Sequence, residues 1–236
     1  MPHAQALQPP VAVLFDAYGT LFDVYSVGFA AEQLFPSHGV ALATMWRDKQ
    51  IDYTRLTTTS KKGPHRESVY QPFWELTAAA LRYTCKRLKL PLTAEAETRL
   101  LNQYRSLSAF PEARPVLAQL KARGIVTGIL SNGDPDMLAL AVKSANLGDV
   151  LDHVISVDPI QTYKTHPDAY ALGEQATGHK APQIAFVSCN SWDALAATWY
   201  GYHTLWVNRY ALPFEELGTE PTLTGESLTD VWRFFD

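Results

Sequence analysis

The run Val11-Ala12-Val13-Leu14-Phe15-Asp16 constrains this chain more than any other stretch. Val11 to Phe15 are apolar without a break, so they read as a short strand buried on both faces, as in a parallel sheet. The strand ends on a carboxylate, Asp16, and Gly19-Thr20 turns the chain at once. In open α/β sheets ligands sit just beyond the carboxyl ends of the strands, which is where Asp16 stands. An aspartate after a strand also serves as a turn former or helix cap, so the rest of the chain must decide between the two readings.

At 236 residues, 47% hydrophobic and 19% charged, the chain can bury a large core as one domain or two. Its net charge is −4, and no Lys/Arg run is longer than the pair Lys61-Lys62. That balance argues against a nucleic acid or an anionic membrane as partner. No apolar run reaches the length of a membrane span, and the N-terminus lacks a basic-then-apolar signal pattern, so the expected location is the cytoplasm. Cys85 and Cys189 are far apart and read as free thiols, and the seven histidines are scattered. No metal site built on histidine or cysteine is expected.

After Asp23 the pattern turns helical. Ser26 to Phe35 reads as a helix stopped by Pro36, and Leu42, Met45, Trp46, Ile51 and Leu56 mark the apolar side of the next. A Lys-Lys-Gly-Pro loop at 61–64 breaks it. A long helix is expected from about Ser68 to Leu88 with Pro72 in its first turn, and another from Thr93 to about Leu107. No β-alternation is read within this block. From Phe110 onward strands and helices alternate: strands at Ile125–Leu130, Val154–Val157, Ile184–Val187 and Thr204–Val207, each followed or preceded by a helical pattern. Such alternation implies a parallel, Rossmann-like α/β sheet with right-handed crossovers. The expected architecture is therefore an α/β core, residues 1–22 and 110–236, interrupted by an inserted all-helical cap at 23–109. Active sites commonly lie between two such parts.

The polar residues that leave the strands form a set. The first strand gives Asp16 and Thr20, the second Ser131 and Asn132, the third is followed by Lys164, and the fourth gives Ser188, Asn190 and Asp193. A parallel sheet brings all of these to one edge. Singly, the serines could be caps, Lys164 a solvated lysine and Asp193 a helix N-terminal charge. Together and in this order they read as one site.

Asp16-Ala17-Tyr18-Gly19-Thr20-Leu21, Ser131-Asn132-Gly133, Lys164 and Ser188-Cys189-Asn190-Ser191-Trp192-Asp193 resemble the four motifs of the haloacid dehalogenase superfamily. Within it the chain is similar to the L-2-haloacid dehalogenases of type II, over nearly its whole length and including Met45 to Tyr53 of the cap. Most phosphatases of the superfamily carry a second aspartate two positions after the nucleophile and bind Mg²⁺. Here that position is Tyr18, which cannot act as a carboxylic acid. A halide leaves as a stable anion and needs no proton, so the exchange suits carbon–halogen cleavage.

The resemblance implies a hydrolase that converts (S)-2-haloacids to (R)-2-hydroxyacids without a metal or other cofactor, and it suggests a homodimer. Asp16 would attack C2 and form an ester. Arg47 would accept the halide, a guanidinium being suited to drawing out an anion; read without the family it is equally an exposed helix arginine. Lys164, Thr20 and Ser188 would keep Asp16 ionised and oriented. Ser131, Asn132 and the backbone at Ala17 would hold the substrate carboxylate. Water, placed by Asn190 and activated by Asp193, would then hydrolyse the ester. Tyr170 would support Lys164, and Tyr18, Ile51, Phe73 and Trp192 would line the substrate, the last three being equally plain core residues. Three features depart from the family pattern. Thr165 stands where a proline often follows the lysine, Cys189 replaces a common serine, and the Ser60–Pro64 region is longer than usual. The competing readings are a Mg²⁺-dependent phosphatase and a non-catalytic binding module on the same fold.

Overall fold

The structure, a computed structural model, describes residues 8–236. Residues 1–7, with the start of the expected core segment and of the terminus judged to lack a signal pattern, lie outside the described residues. β1 (Ala12–Phe15) has every residue buried, as a strand covered on both faces must. It pairs in parallel with β4 (Val126–Ser131) on one side and β6 (Ile184–Ser188) on the other, with Phe15 opposite Ile129 and Val187. β5 (His153–Ser156), β7 (His203–Val207) and β8 (Leu223–Gly225) extend the sheet to six parallel strands in the order β5-β4-β1-β6-β7-β8. From β1 the chain builds outward through β4 and β5, then returns to β6 on β1's other side. The strand order therefore reverses at β1, the kind of switch point where α/β sheets bind ligands. The helices α5 (Ala113–Ala122), α6 (Pro135–Ser144), α7 (Pro167–Thr177) and α8 (Ser191–Tyr200) join these strands and pack on the sheet.

Between β1 and α5 the chain forms α1 (Val27–Leu34), α2 (Gly39–Thr59), α3 (Phe73–Arg87) and α4 (Ala94–Arg105), which pack mainly on one another as a helical cap. Caps follow from sequence: Thr93 Oγ1 accepts from Ala96 N, and Asp134 Oδ1 from Met137 N. The cap is tied to the core by polar bonds, Trp74 N to Asp134 Oδ2 at 3.1 Å and Tyr70 OH to Asp158 Oδ1 at 2.6 Å. Aromatic packing joins them as well, with the Tyr18 ring 5.7 Å from Phe73 and stacked at 5.8 Å on Tyr104. Gly133 allows that arrangement, since a Cβ there would lie 2.8 Å from the Tyr18 ring.

Three local expectations are corrected. The α3 helix begins at Phe73, and Pro72 precedes it in extended geometry rather than lying in its first turn. A proline disfavours helix in the residue before it, so the helical pattern could not run back to Ser68. The 61–64 loop is the tip of a hairpin, β2 (Lys61–Lys62) with β3 (Glu67–Ser68), and so a short β element interrupts the helical block. Its four residues are exposed and charged or polar, so no apolar alternation announced it; Lys62 stands opposite Glu67. β8 also escaped the sequence reading, as a three-residue edge strand after a Pro- and Gly-containing loop.

Candidate active site

Asp16 follows β1 directly and is nearly buried. Gly19, at φ +96°, makes the turn that returns Thr20 toward it, and Thr20 Oγ1 donates to Asp16 Oδ2 at 3.1 Å. The Thr20 oxygen is itself fixed by the Cys189 N–H at 2.9 Å. Asn190, the N-cap of α8, donates its Nδ2 to the same Oδ2 at 2.8 Å. Lys164 is fully buried, and its Nζ lies 3.0 Å from both Asp16 Oδ1 and Asp193 Oδ2, above the Phe186 ring. Its backbone is pinned by the side chain of Asn132, whose Oδ1 accepts from Lys164 N at 2.9 Å. The four strand exits thus meet as expected, on one edge of the sheet.

Arg47 comes to this group from the opposite side, on α2. Its guanidinium is buried and donates to the Tyr18 carbonyl at 2.9 Å and to Gln50 Oε1 at 2.7 Å, with Asn190 Oδ1 at 3.4 Å. Among the described residues it has no carboxylate partner within ion-pair distance. The expectation of an exposed helix arginine is therefore set aside. Asp16, Asp193, Lys164 and Arg47 together balance in charge, but the cation on Arg47 is separated from both anions. A buried cation without a counter-ion is costly, so this position favours an incoming anion.

Asp193 lies behind Lys164. Its Oδ2 accepts from Ser188 Oγ at 3.1 Å as well as from Lys164, and its Oδ1 from Tyr170 OH at 2.8 Å. Burial pushes its carboxyl up to about 6, against the pull of the Lys164 ammonium. Burial also holds the Tyr170 hydroxyl well above its ordinary range, so it remains an O–H donor to Asp193.

Two expected roles change. Ser188 bonds Asp193, not Asp16. Tyr170 is fully buried beneath Asp193 and reaches Lys164 only through that carboxylate, so it does not line the substrate space. Ser131 is buried, its Oγ accepting from Gly133 N at 3.1 Å, which leaves its own proton free to donate. Ala17 and Phe73 are buried beside the nucleophile and under the Tyr18 ring respectively. A pocket of about 240 Å³ opens over Asn190, lined among others by Arg47, Ile51, Arg55, Cys189 and Trp192. Ile51 and Trp192 thus face it, and the Arg55 guanidinium lies 5.4 Å from the Trp192 ring at its rim.

The sequence reading missed three side chains around Arg47: Gln50, Thr77 and Tyr104. Gln50 had a signal, three residues after Arg47 on one helix face. Thr77 and Tyr104 reach it from other helices and had none.

A divalent cation does not fit here. The oxygens it would use, on Asp16, Asp193 and the Tyr18 carbonyl, already accept from Lys164, Thr20, Asn190, Ser188, Tyr170 and Arg47. The Lys164 ammonium fills the space between the two carboxylates.

The chain is 41% identical over 224 residues to the (S)-2-haloacid dehalogenase of Pseudomonas sp. (strain YL), covering 95% of this chain and 94% of that one. A solved L-2-haloacid dehalogenase is 53% identical with a TM-score of 0.90, covering 98% of this chain and 99% of the other. The L-2-haloacid dehalogenase of Xanthobacter autotrophicus with chloropropionic acid covalently bound is 34% identical, TM-score 0.85, over 96% and 98% of the two chains. The family model of haloacid dehalogenase-like hydrolases matches residues 11–201, and the chain belongs to that family.

Proposed function

We propose that this chain is a hydrolytic dehalogenase that converts (S)-2-haloacids to (R)-2-hydroxyacids and halide through an ester on Asp16. The observation that carries the reading is the pairing of Asp16 with a buried Arg47 that lacks a carboxylate partner, the two linked through Asn190. One end of this arrangement supplies a nucleophile and the other accepts an anion. The names of the relatives agree with it.

Asp16 Oδ1 accepts only from Lys164, whereas Oδ2 accepts from two donors, so Oδ1 is the oxygen with electrons to give. It attacks C2 as the carbon–halogen bond breaks, the electron pair leaving with the halide toward Arg47 and C2 inverting. Ser131, Asn132 and the Ala17 backbone take the substrate carboxylate, while Tyr18, Ile51, Phe73 and Trp192 surround its chain. Water then adds to the ester carbonyl, losing its proton to Asp193, and the oxyanion forms at Oδ2 between Thr20 Oγ1 and Asn190 Nδ2. Collapse of that adduct breaks the acyl–oxygen bond and frees the hydroxyacid and Asp16. Because the second attack is not at C2, the inversion is kept.

Halide release from L-2-chloropropionate, with the D isomer as control, tests the function. It is expected to proceed for L only and unchanged in EDTA, since hard Mg²⁺ needs several free oxygens that are not available here. Activity lost in EDTA and restored by Mg²⁺, or phosphate release from phosphomonoesters, would favour the phosphatase. No halide release from any 2-haloacid would favour a binding module.

A second expectation concerns pH. Asp193 accepts a proton from water only when ionised, so kcat should fall as pH drops through about 6. The acid limb should be absent from the residual activity of Asp193→Asn.

The same reading takes residues 23–109 as the cap and the flanking segments as the core. It places the enzyme in the cytoplasm; no helix among the described residues is long and apolar enough to cross a membrane. A homodimer is part of it, with the exposed Phe29 and Val40 on α1 and α2 as a contact face to test by light scattering.

A further inference from the structure

Arg47 is held on its inner side by a neutral oxygen, and the network that selects that oxygen is fully specified. Thr77 Oγ1 donates its single proton to Phe73 O at 2.7 Å, within α3. Toward Gln50 it can therefore only accept, and the Gln50 Nε2 lies 2.6 Å away. That fixes the amide: Nε2 faces Thr77, and Oε1 faces Arg47 Nη1 at 2.7 Å. Tyr104 OH donates to the same Oε1 at 3.0 Å, and burial keeps that hydroxyl above its ordinary range and protonated. Gln50, Thr77 and Tyr104 are all buried, on α2, α3 and α4.

A carboxylate at position 50 would satisfy the same guanidinium and is the same size. It would also neutralise it. A buried Arg–carboxylate pair leaves little charge for a third group, whereas an amide oxygen orients the guanidinium and leaves its charge whole. We propose that Gln50 is a positioning residue that keeps Arg47 fixed but without a counter-ion, so that its charge is free for the departing halide. The inference rests on the reading of Arg47 as halide acceptor.

The test uses sodium bromide as probe, titrated at constant ionic strength, with the thermal midpoint as readout of binding by linkage. Wild type should be stabilised by bromide and inhibited competitively by it. Gln50→Glu should keep its far-UV circular dichroism, lose both responses, and release halide about 10²-fold more slowly, the scale seen when one donor to a developing anion is removed. The loss should be greater for chloro than for bromo substrates, because the poorer leaving group needs the cation more. A purely structural role would not move that ratio. If Gln50→Glu fails to fold, Thr77→Val decides. It removes the acceptor that fixes the amide, and should weaken bromide binding and widen the same ratio. A folded Gln50→Glu, or failing that Thr77→Val, that binds bromide and turns over as wild type does overturns the proposal. Wild type that binds bromide only when Gln50 is present, yet turns over no haloacid, would support it while sinking the dehalogenase reading.

Discussion

Asp16→Asn is expected to lower halide release by at least about 10⁴-fold while leaving the fold intact, the scale on which removing a covalent nucleophile acts. The amide can still accept from Lys164 and Thr20, so the geometry of the site survives. What it lacks is an anionic oxygen to displace the halide. Circular dichroism and the thermal midpoint would verify the fold, and a halide-release assay the loss. Asp16→Asn that turns over at the wild-type rate would exclude the ester mechanism.

The second large effect separates the two chemical steps. Arg47 lies on the cap side and meets the departing halide, whereas Asp193 lies behind Lys164 and serves the ester. Arg47→Ala should slow ester formation, so that no intermediate accumulates. Asp193→Asn should leave the first step running and slow hydrolysis by about 10²–10⁴-fold, the usual contribution of a general base. In single turnover it should give a burst of halide and a stranded ester. Because Asp193 also holds Lys164 at 3.0 Å, some loss in the first step is expected too. A burst in the Arg47 variant and none in the Asp193 variant would reverse the assignments.

The central sheet and the converging strand ends were legible in the sequence because both follow from pattern. A buried strand needs an unbroken apolar run, and a parallel sheet brings every strand exit to one edge. Asp16, Lys164 and Asp193 could be grouped on that basis alone. What sequence could not show was which carboxylate a given hydroxyl would reach. Ser188 follows its strand as Asp16 follows β1, yet α8 turns Asp193 back onto Ser188, and the hydroxyl is taken there. Tyr170 was misplaced for a related reason: it rises from α7 under the sheet edge, and only three-dimensional packing sets it behind Asp193. Gln50 shows the opposite limit. Its helix face was readable, but its function depends on Thr77 and Tyr104, residues 27 and 54 positions away.

Intact-mass spectrometry of Asp193→Asn, quenched during reaction with L-2-chloropropionate and then digested, tests the ester on Asp16 most directly. The account predicts that the protein carries the substrate less its halide, on the peptide that contains Asp16. Halide release in that variant with unmodified protein, or an adduct on a different peptide, would contradict it.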